Sequence, residues 1–309
     1  MIVDTLRVPV GSREDWLAMR RRDITASEIA ALFGKHPYKT MLGLYADKAG
    51  LVPPETEEND AMRRGRHMEA AILSACAEDP AFHGRTIERA THYFRSPSLR
   101  LGATPDAYVI QGETLEPIDA KSVASYVHDT QWADGAPPLH IQLQVLVQAM
   151  LMNAPRGWVA CGVMNPEFPL YVYEVPRHAQ AEEKILEAVE AFWRAVEAGE
   201  APDPTAGDHG TLQALFPQAT KPEPLDISGD EDLLKLLERR AEIAAITKPL
   251  DGEKAAIDAA IKMRMGTHSL ALAPGWKLTW SERAAYTTTV KATRVLRVTA
   301  LNQDQEEAA

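Results

Sequence analysis

Three polar residues near the middle of the chain have types and spacing that suit metal-assisted chemistry. Asp106 follows Pro105, and thirteen residues later comes Asp119-Ala120-Lys121. The flanking residues read as strand, turn, strand: Leu99 to Ile110 carries Leu101, Ala103, Tyr108, Val109 and Ile110. Gln111-Gly112 makes a turn, and Thr114 to Val123 follows. A hairpin of that kind sets Asp106 beside Asp119. Two carboxylates on adjacent strands suit a hard cation such as Mg²⁺, which takes a few carboxylates together with water and phosphate oxygens. Lys121, two residues beyond Asp119, points to the same face of its strand. A cation there orients or helps to deprotonate an attacking water, or offsets charge gathering on a phosphate. Either motif alone is cheap, since Asp-x-Lys is common on solvated strand faces and Pro-Asp is an ordinary turn dipeptide.

The elements that must position these groups follow from apolar spacing and caps. Helices are expected over 12–22 (Ser12 as cap, Trp16 and Met19 inward), from Thr25 to a stop at Gly34, from Thr40 to about Ala49, and from Asn59 to Glu78. Pro53-Pro54 and the acids after it read as a loop. Strands are expected at about 86–95, 99–110 and 114–123; residues 139–152 fit strand or helix, with length and the Gln142, Gln144 and Gln148 pattern favouring helix; strands follow over 157–163 and 170–175, and an amphipathic helix over 177–198. That order predicts an α/β fold, a mixed central sheet flanked by helices, over residues 1–200. A Pro, Gly and Asp rich linker spans 201–229. Residues 230–309 form a helical and short β appendage. There Ser228 and Glu231 read as a capping box, and the helical stretch to Met265 is expected to break at Pro249 into a hairpin of two helices. Its apolar stripe runs through Leu233, Leu236, Leu237, Ala241, Ala244, Ile257 and Ile261. A small β piece holds Leu270 to Leu272 and Trp276 to Trp280.

Composition narrows the class. The chain has 309 residues, 45% hydrophobic and 25% charged, with a net charge of −11. This is globular composition, and its acidity argues against a protein that coats nucleic acid non-specifically. It leaves room for a local basic channel. Arg20-Arg21-Arg22 and Arg63-Arg64 with Arg66 are basic clusters, while many acids gather in 182–203, 223–242 and the tail from Asp304 to Glu307. No apolar run reaches the eighteen or so residues of a membrane helix, and the first residues show no basic-then-apolar export signal. Cys76 and Cys161 make neither a metal knuckle nor a disulfide framework, so a cytoplasmic location is expected. His67 and His140 read as hydrogen-bonded structural residues rather than ligands. Trp276 and Trp280 read as packing residues, with base stacking as the sharper use.

Further stretches join the carboxylate pair. Gly65-Arg66-His67-Met68-Glu69 precedes the strands, and Glu69 offers a third carboxylate. Arg20 with Ile24-Thr25-Ala26-Ser27 places a guanidinium and two hydroxyls at a helix start, an arrangement suited to an anion; the plain alternative for Arg20 is pairing with Asp23. Gln142 and Gln144 follow on the later helix.

This ordered set resembles the YqaJ family of phage-type recombinases, grouped with the phage lambda exonuclease in the PD-(D/E)XK nuclease superfamily. The resemblance is carried by WLAMRRRDITASEIAALFG, GRHMEA, GATPDAYV, IDAKS and the glutamine-bearing helix, over about residues 12–200. It implies a restriction-endonuclease-like core and Mg²⁺-dependent hydrolysis of DNA phosphodiesters, with Mn²⁺ able to substitute. The usual activity is 5′-to-3′ exonuclease action on double-stranded DNA ends, in a bacterial or phage-encoded protein. It also implies a homo-oligomer, often a trimeric ring, working beside a single-strand annealing protein, with no membrane. Carried over by position, Glu69, Asp106 and Asp119 would bind metal, Lys121 would be the catalytic lysine, and Gln144 would assist it, with Gln142 an equally legal alignment. Arg20 and Ser27, with Thr25 beside them, would hold the terminal 5′-phosphate. The family mostly has Glu where this chain has Asp119. Two other readings are an endonuclease of the same superfamily and a non-catalytic DNA-binding scaffold that keeps the fold.

Overall fold

The computed structural model describes residues 4–53, 60–132, 135–221, 223–288 and 292–299. The part of the expected acidic loop from Pro54 to Asn59 and the acidic tail lie outside them. The chain divides into two compact units, residues 1–217 and 218–309.

The first unit opens with β1 (Leu6–Pro9) and α1 (Arg13–Arg22), whose cap Ser12 accepts from Asp15 N. β2 (Ile24–Thr25) runs into Ala26–Phe33, which winds as a 3-10 helix rather than the expected α-helix and stops at Gly34 with φ of 61°. The tighter period of three stacks Ala26, Ile29 and Leu32 in one buried row within the core. α2 (Met41–Lys48) and α3 (Asp60–Cys76) follow.

Two of the expected strands are each split in two. Residues 86–95 divide into β3 (Thr86–Arg89) and β4 (His92–Ser96), and 99–110 into β5 (Leu101–Ala103) and β6 (Ala107–Gln111). Pro105 supplies the reason for the second break: it has no N–H for a ladder, and the chain changes sheets around it. Next come β7 (Thr114–Ala124), α4 (Ser125–Gln131), α5 (Leu139–Leu151), β8 (Arg156–Met164), β9 (Leu170–Pro176), α6 (Ala179–Ala198) and α7 (His209–Leu215). One sheet has the order β1-β4-β5-β2 and the other β3-β6-β7-β8-β9. β7 and β8 are parallel and the other pairs of the larger sheet antiparallel, so the sheet is mixed as expected.

α3 covers one face of the larger sheet and α5 the other. Alternation along β7 decides what each helix meets. Ile118 and Ala120 join Ile72 and Leu73 of α3 in an apolar cluster, whereas Val123 packs with Ile141 and Val145 of α5. Asp119 and Lys121 share the parity of Val123 and so face α5. At Gly157 on β8 a Cβ would collide with Val145 Cγ1 of α5.

In the second unit the hairpin of helices expected at Pro249 is not found. α8 (Glu231–Met265) runs unbroken through Pro249 for 35 residues. Lys248 and Leu250, both good helix formers, stand next to the proline, and the Thr247 hydroxyl donates to Ile243 O at 3.0 Å in the preceding turn. The cap is Asp230, which accepts from Leu233 N at 2.9 Å, rather than Ser228. β10 (Leu270–Ala273) and β11 (Trp276–Thr279) close a hairpin through Pro274-Gly275, with Gly275 at φ of 76°. Among the described residues no helix is long and apolar enough to cross a membrane.

Candidate active site

β6 and β7 bring the two central carboxylates together. Asp106 N donates to Ile118 O at 3.1 Å, and Ala120 N donates to Asp106 Oδ2 at 2.7 Å, so Asp106 lies across from Asp119. Asp119 is 1% exposed. Its Oδ1 accepts from Gln144 Nε2 at 2.5 Å and from Gln148 Nε2 at 3.2 Å, both on α5. Its Oδ2 stands 2.6 Å from Lys121 Nζ. Lys121 in turn donates to Gln144 Oε1 at 3.3 Å. Asp119, Lys121 and Gln144 thus close a ring of three side chains, with each contact at an atom of the required polarity.

Burial and the charge of Asp119 push the Asp106 carboxyl up to about 7, against the opposing pull of Lys121 and the Ala120 amide; the Glu69 charge adds to the rise. Burial would lower the Lys121 pKa, but Asp119 and Asp106 outweigh it and hold the ammonium charged. Glu69 of α3 is felt electrostatically at Asp106, yet its side chain turns to Arg89 at the end of β3 and forms an ion pair there. The expected carboxylate triplet is therefore not assembled. Among the described residues no three His, Cys, Asp or Glu side chains are gathered into a metal cage. The physical cause is local charge: Arg89 supplies the partner that Glu69 needs, and Lys121 occupies the open oxygen of Asp119. The donor set nevertheless fits a divalent cation. Asp119 Oδ2 is buried and close to Lys121 without an aligned hydrogen bond, and its neighbour Asp106 lacks enough positive charge to stay ionised at its ordinary value.

Helix phase sends the two glutamines in different directions. Gln144 and Gln148 are four apart and share the face over β7. Gln142 turns away and donates to Pro137 O at 2.6 Å. Gln148, fully buried, enters the sequence reading only as part of the helical glutamine pattern; its four-residue spacing from Gln144 is the signal that places it on the same face. Glu116 faces away from Asp119, bonded by Trp158 Nε1 at 2.7 Å and paired with Arg156 at 3.2 Å.

A second polar cluster forms where α1, β2 and the 3-10 helix meet. Arg20 Nη2 donates to Ser27 Oγ at 3.3 Å; Ser27 and Thr25 hydroxyls are 3.0 Å apart; Thr25 Oγ1 donates to Glu28 Oε2 at 2.9 Å. Since the Thr25 proton goes to Glu28, Ser27 is the donor to Thr25, and the hydrogen bonds run one way from Arg20 to Glu28. Arg20 also lies over the Trp16 ring, 4.6 Å from its centroid, and Trp16 Nε1 donates to Thr104 at 3.0 Å. The alternative pairing with Asp23 is not made, because Arg95 takes that carboxylate in a two-pronged contact at 2.7 and 2.9 Å. Glu28, Lys39 and Lys48 complete the cluster and were missed in the sequence. Glu28 Oε1 lies 2.9 Å from Lys39 Nζ and Oε2 lies 2.8 Å from Lys48 Nζ; Lys48 also donates to Arg20 O at 2.8 Å. Burial would raise the Glu28 pKa, but Lys48, Lys39 and Arg20 hold it well below the usual carboxylate range. Arg20, Lys39 and Lys48 line one wall of a cleft of about 870 Å³, with Trp16, Tyr38 and Met62 among the other lining groups.

Residues 15–154 match the YqaJ-like viral recombinase domain. Over 253 residues the chain is 22% identical to the uncharacterized protein YqaJ of Bacillus subtilis (strain 168), an alignment covering 78% of this chain and 77% of that one. Among solved structures it is similar to the alkaline exonuclease LHK-Exo of Laribacter hongkongensis, with 22% identity and a TM-score of 0.50 over 60% of this chain and 94% of that one. The likeness in structure gives the fold, a restriction-endonuclease-like mixed sheet between helices. The stretch from residue 15 to residue 154 is thus what this chain shares with the YqaJ-like viral recombinase domain.

Proposed function

We propose that the protein is a Mg²⁺-dependent DNA exonuclease of a phage-type recombination system, acting 5′-to-3′ on duplex ends. The observation that carries this reading is the closed arrangement of Asp106, Asp119, Lys121 and Gln144 on adjoining strands and a facing helix. The family and the exonuclease named among similar structures agree with it. Asp106 and Asp119, joined by Glu69 once it leaves Arg89, would hold the divalent cation, with Mn²⁺ able to replace Mg²⁺. A bound cation of this kind lowers the pKa of water and draws charge from a phosphate.

The chain's own groups do the rest. Lys121 holds the attacking water and offers positive charge to the phosphate oxygens as they gain charge. Gln144 keeps the Lys121 ammonium aimed by accepting a hydrogen bond from it while anchored on Asp119. Arg20 and Ser27, backed by Thr25, take the terminal phosphate, a dianion that a guanidinium and hydroxyls recognise well. The cleft on which Arg20 opens gives a strand end room to enter. A terminal-phosphate site favours exonuclease over endonuclease action. Assembly into a trimeric ring and work beside a single-strand annealing protein belong to the same proposal.

The test is incubation with linear and with covalently closed circular duplex DNA, with Mg²⁺ or with EDTA, following each strand separately. The expected result is loss of the linear form alone, from its 5′ ends, only with Mg²⁺. Asp119→Asn is expected to lower the rate at least about a thousandfold while the melting temperature moves by a few degrees at most. Cutting of the circle, digestion in EDTA, or an active Asp119→Asn protein would refute the proposal.

A further inference from the structure

The second unit carries a feature the nuclease reading does not use. Trp276 and Leu278 project from one face of β11, and Trp280, whose N–H extends the ladder to Ser269 O at 2.9 Å, continues that face. Their cross-strand partners are small: Ala273 opposes Trp276 and Ala271 opposes Leu278. Nothing from β10 therefore covers the indoles, and Trp276 is 74% and Trp280 46% exposed. The other four tryptophans of the chain are buried or half-buried. Four residues of strand separate the two rings by about 14 Å.

The sequence that carries and follows this hairpin is basic. Between Gly266 and Thr299 stand five basic residues, Lys277, Arg283, Lys291, Arg294 and Arg297, against the single acid Glu282, in a chain whose net charge is −11. Lys277, Arg283 and Arg297 are exposed. Arg283 lies over the ring of exposed Tyr286, 4.4 Å from its centroid.

We propose that this hairpin and the basic segment after it bind single-stranded DNA, with Trp276 and Trp280 as stacking platforms and Arg283 and Arg297 on the phosphates. Flat, uncovered aromatic rings spaced along a strand and followed by a basic segment match unstacked bases on an anionic backbone. A duplex hides its base faces in its own stack, and an apolar protein partner gains little from a basic segment. The inference rests on the exonuclease reading only for the origin of the strand: digestion of one strand leaves its complement single-stranded.

The experiment uses the full chain in EDTA, so that hydrolysis plays no part and failure of the nuclease reading leaves the result interpretable. The probe is a 20-nucleotide oligo(dT) with a 5′-hydroxyl and a 3′-fluorescein, followed by anisotropy; an unlabelled copy is followed by tryptophan emission. The wild-type protein is expected to bind with quenching, since the exposed indoles are the ones that stack. Trp276→Ala with Trp280→Ala is expected to weaken binding at least about tenfold and abolish most of the quenching. Trp276→Phe with Trp280→Phe retains an aromatic face and should recover most of the affinity. Arg283→Ala with Arg297→Ala should flatten the dependence of log affinity on log salt by about 1.4, the loss of two phosphate contacts. Unchanged oligonucleotide affinity in the alanine variants would overturn the proposal. So would an altered oligomeric state without altered DNA binding, which would assign the face to protein contact.

Discussion

Removing the Glu28 carboxylate should strand a buried ammonium. Its two oxygens hold Lys39 at 2.9 Å and Lys48 at 2.8 Å, and Oε2 also accepts from Thr25 N at 3.0 Å and Thr25 Oγ1 at 2.9 Å. Lys39 keeps partial access to water, but the Lys48 side chain is 1% exposed. In Glu28→Ala the Lys48 ammonium is left with the Arg20 carbonyl and with Asp47 at 3.7 Å. Deleting one partner of a buried pair costs about 3–5 kcal/mol. For a unit of this size each kcal/mol shifts the melting temperature by about 2–4 °C, so the fall should be about 6–20 °C. Scanning calorimetry with urea unfolding measures it. Glu28→Ala combined with Lys48→Met removes the orphan charge and should recover most of the loss. The pH dependence has a fixed sign. The folded-state carboxyl lies below its ordinary value of 4.5, so its contribution is complete above that pH and drains away as pH falls. Glu28→Ala should therefore flatten the acid limb of the stability curve below about pH 4.5. A single variant that melts within 2 °C or so of wild type, or a double variant no more stable than the single, would refute the reasoning.

The anion cluster and the glutamine face have their own tests. Arg20→Ala should cut the initial rate on 5′-phosphorylated ends at least about tenfold while changing the rate on 5′-hydroxyl ends little; equal losses on both would remove Arg20 from phosphate recognition. Gln144→Ala should lower turnover at least about tenfold by freeing Lys121, with DNA affinity held, whereas Gln142→Ala, whose amide only ties Pro137 O, should leave turnover near wild type. A reversed ranking in single-turnover kinetics would move the assisting role to Gln142.

Much of this was readable where the signal is local. The alternation around Asp119 and Lys121 predicts their shared face, and the thirteen-residue spacing predicts the closeness of Asp106. The cap at Ser12 and the stop at Gly34 are short-range hydrogen-bond and backbone effects, visible in a few residues. What was illegible is long-range. Lys48 shows no pattern near Glu28, because twenty residues separate them and only the packing of α2 against the 3-10 helix joins them. The pairing of Glu69 with Arg89 depends on where β3 ends against α3. Pro249 misled because its cost falls on one hydrogen bond, whereas helix continuity is decided by both flanking turns together. Pro105 split a strand that apolar content alone had joined.

The missing side chain at Gly157 sets the height at which α5 rides above the sheet. A methyl there would meet Val145 and push the helix outward, and Gln144, the neighbouring residue, would be carried with it. Asp119 is a short acid, and its reach to both glutamines exists only because the helix descends this far. The stub at 119 and the bare position at 157 are thus complementary dimensions of one gap. Lengthening the acid to Glu without raising the helix would wedge a methylene between carboxylate and amides, so the two positions are expected to change together rather than singly.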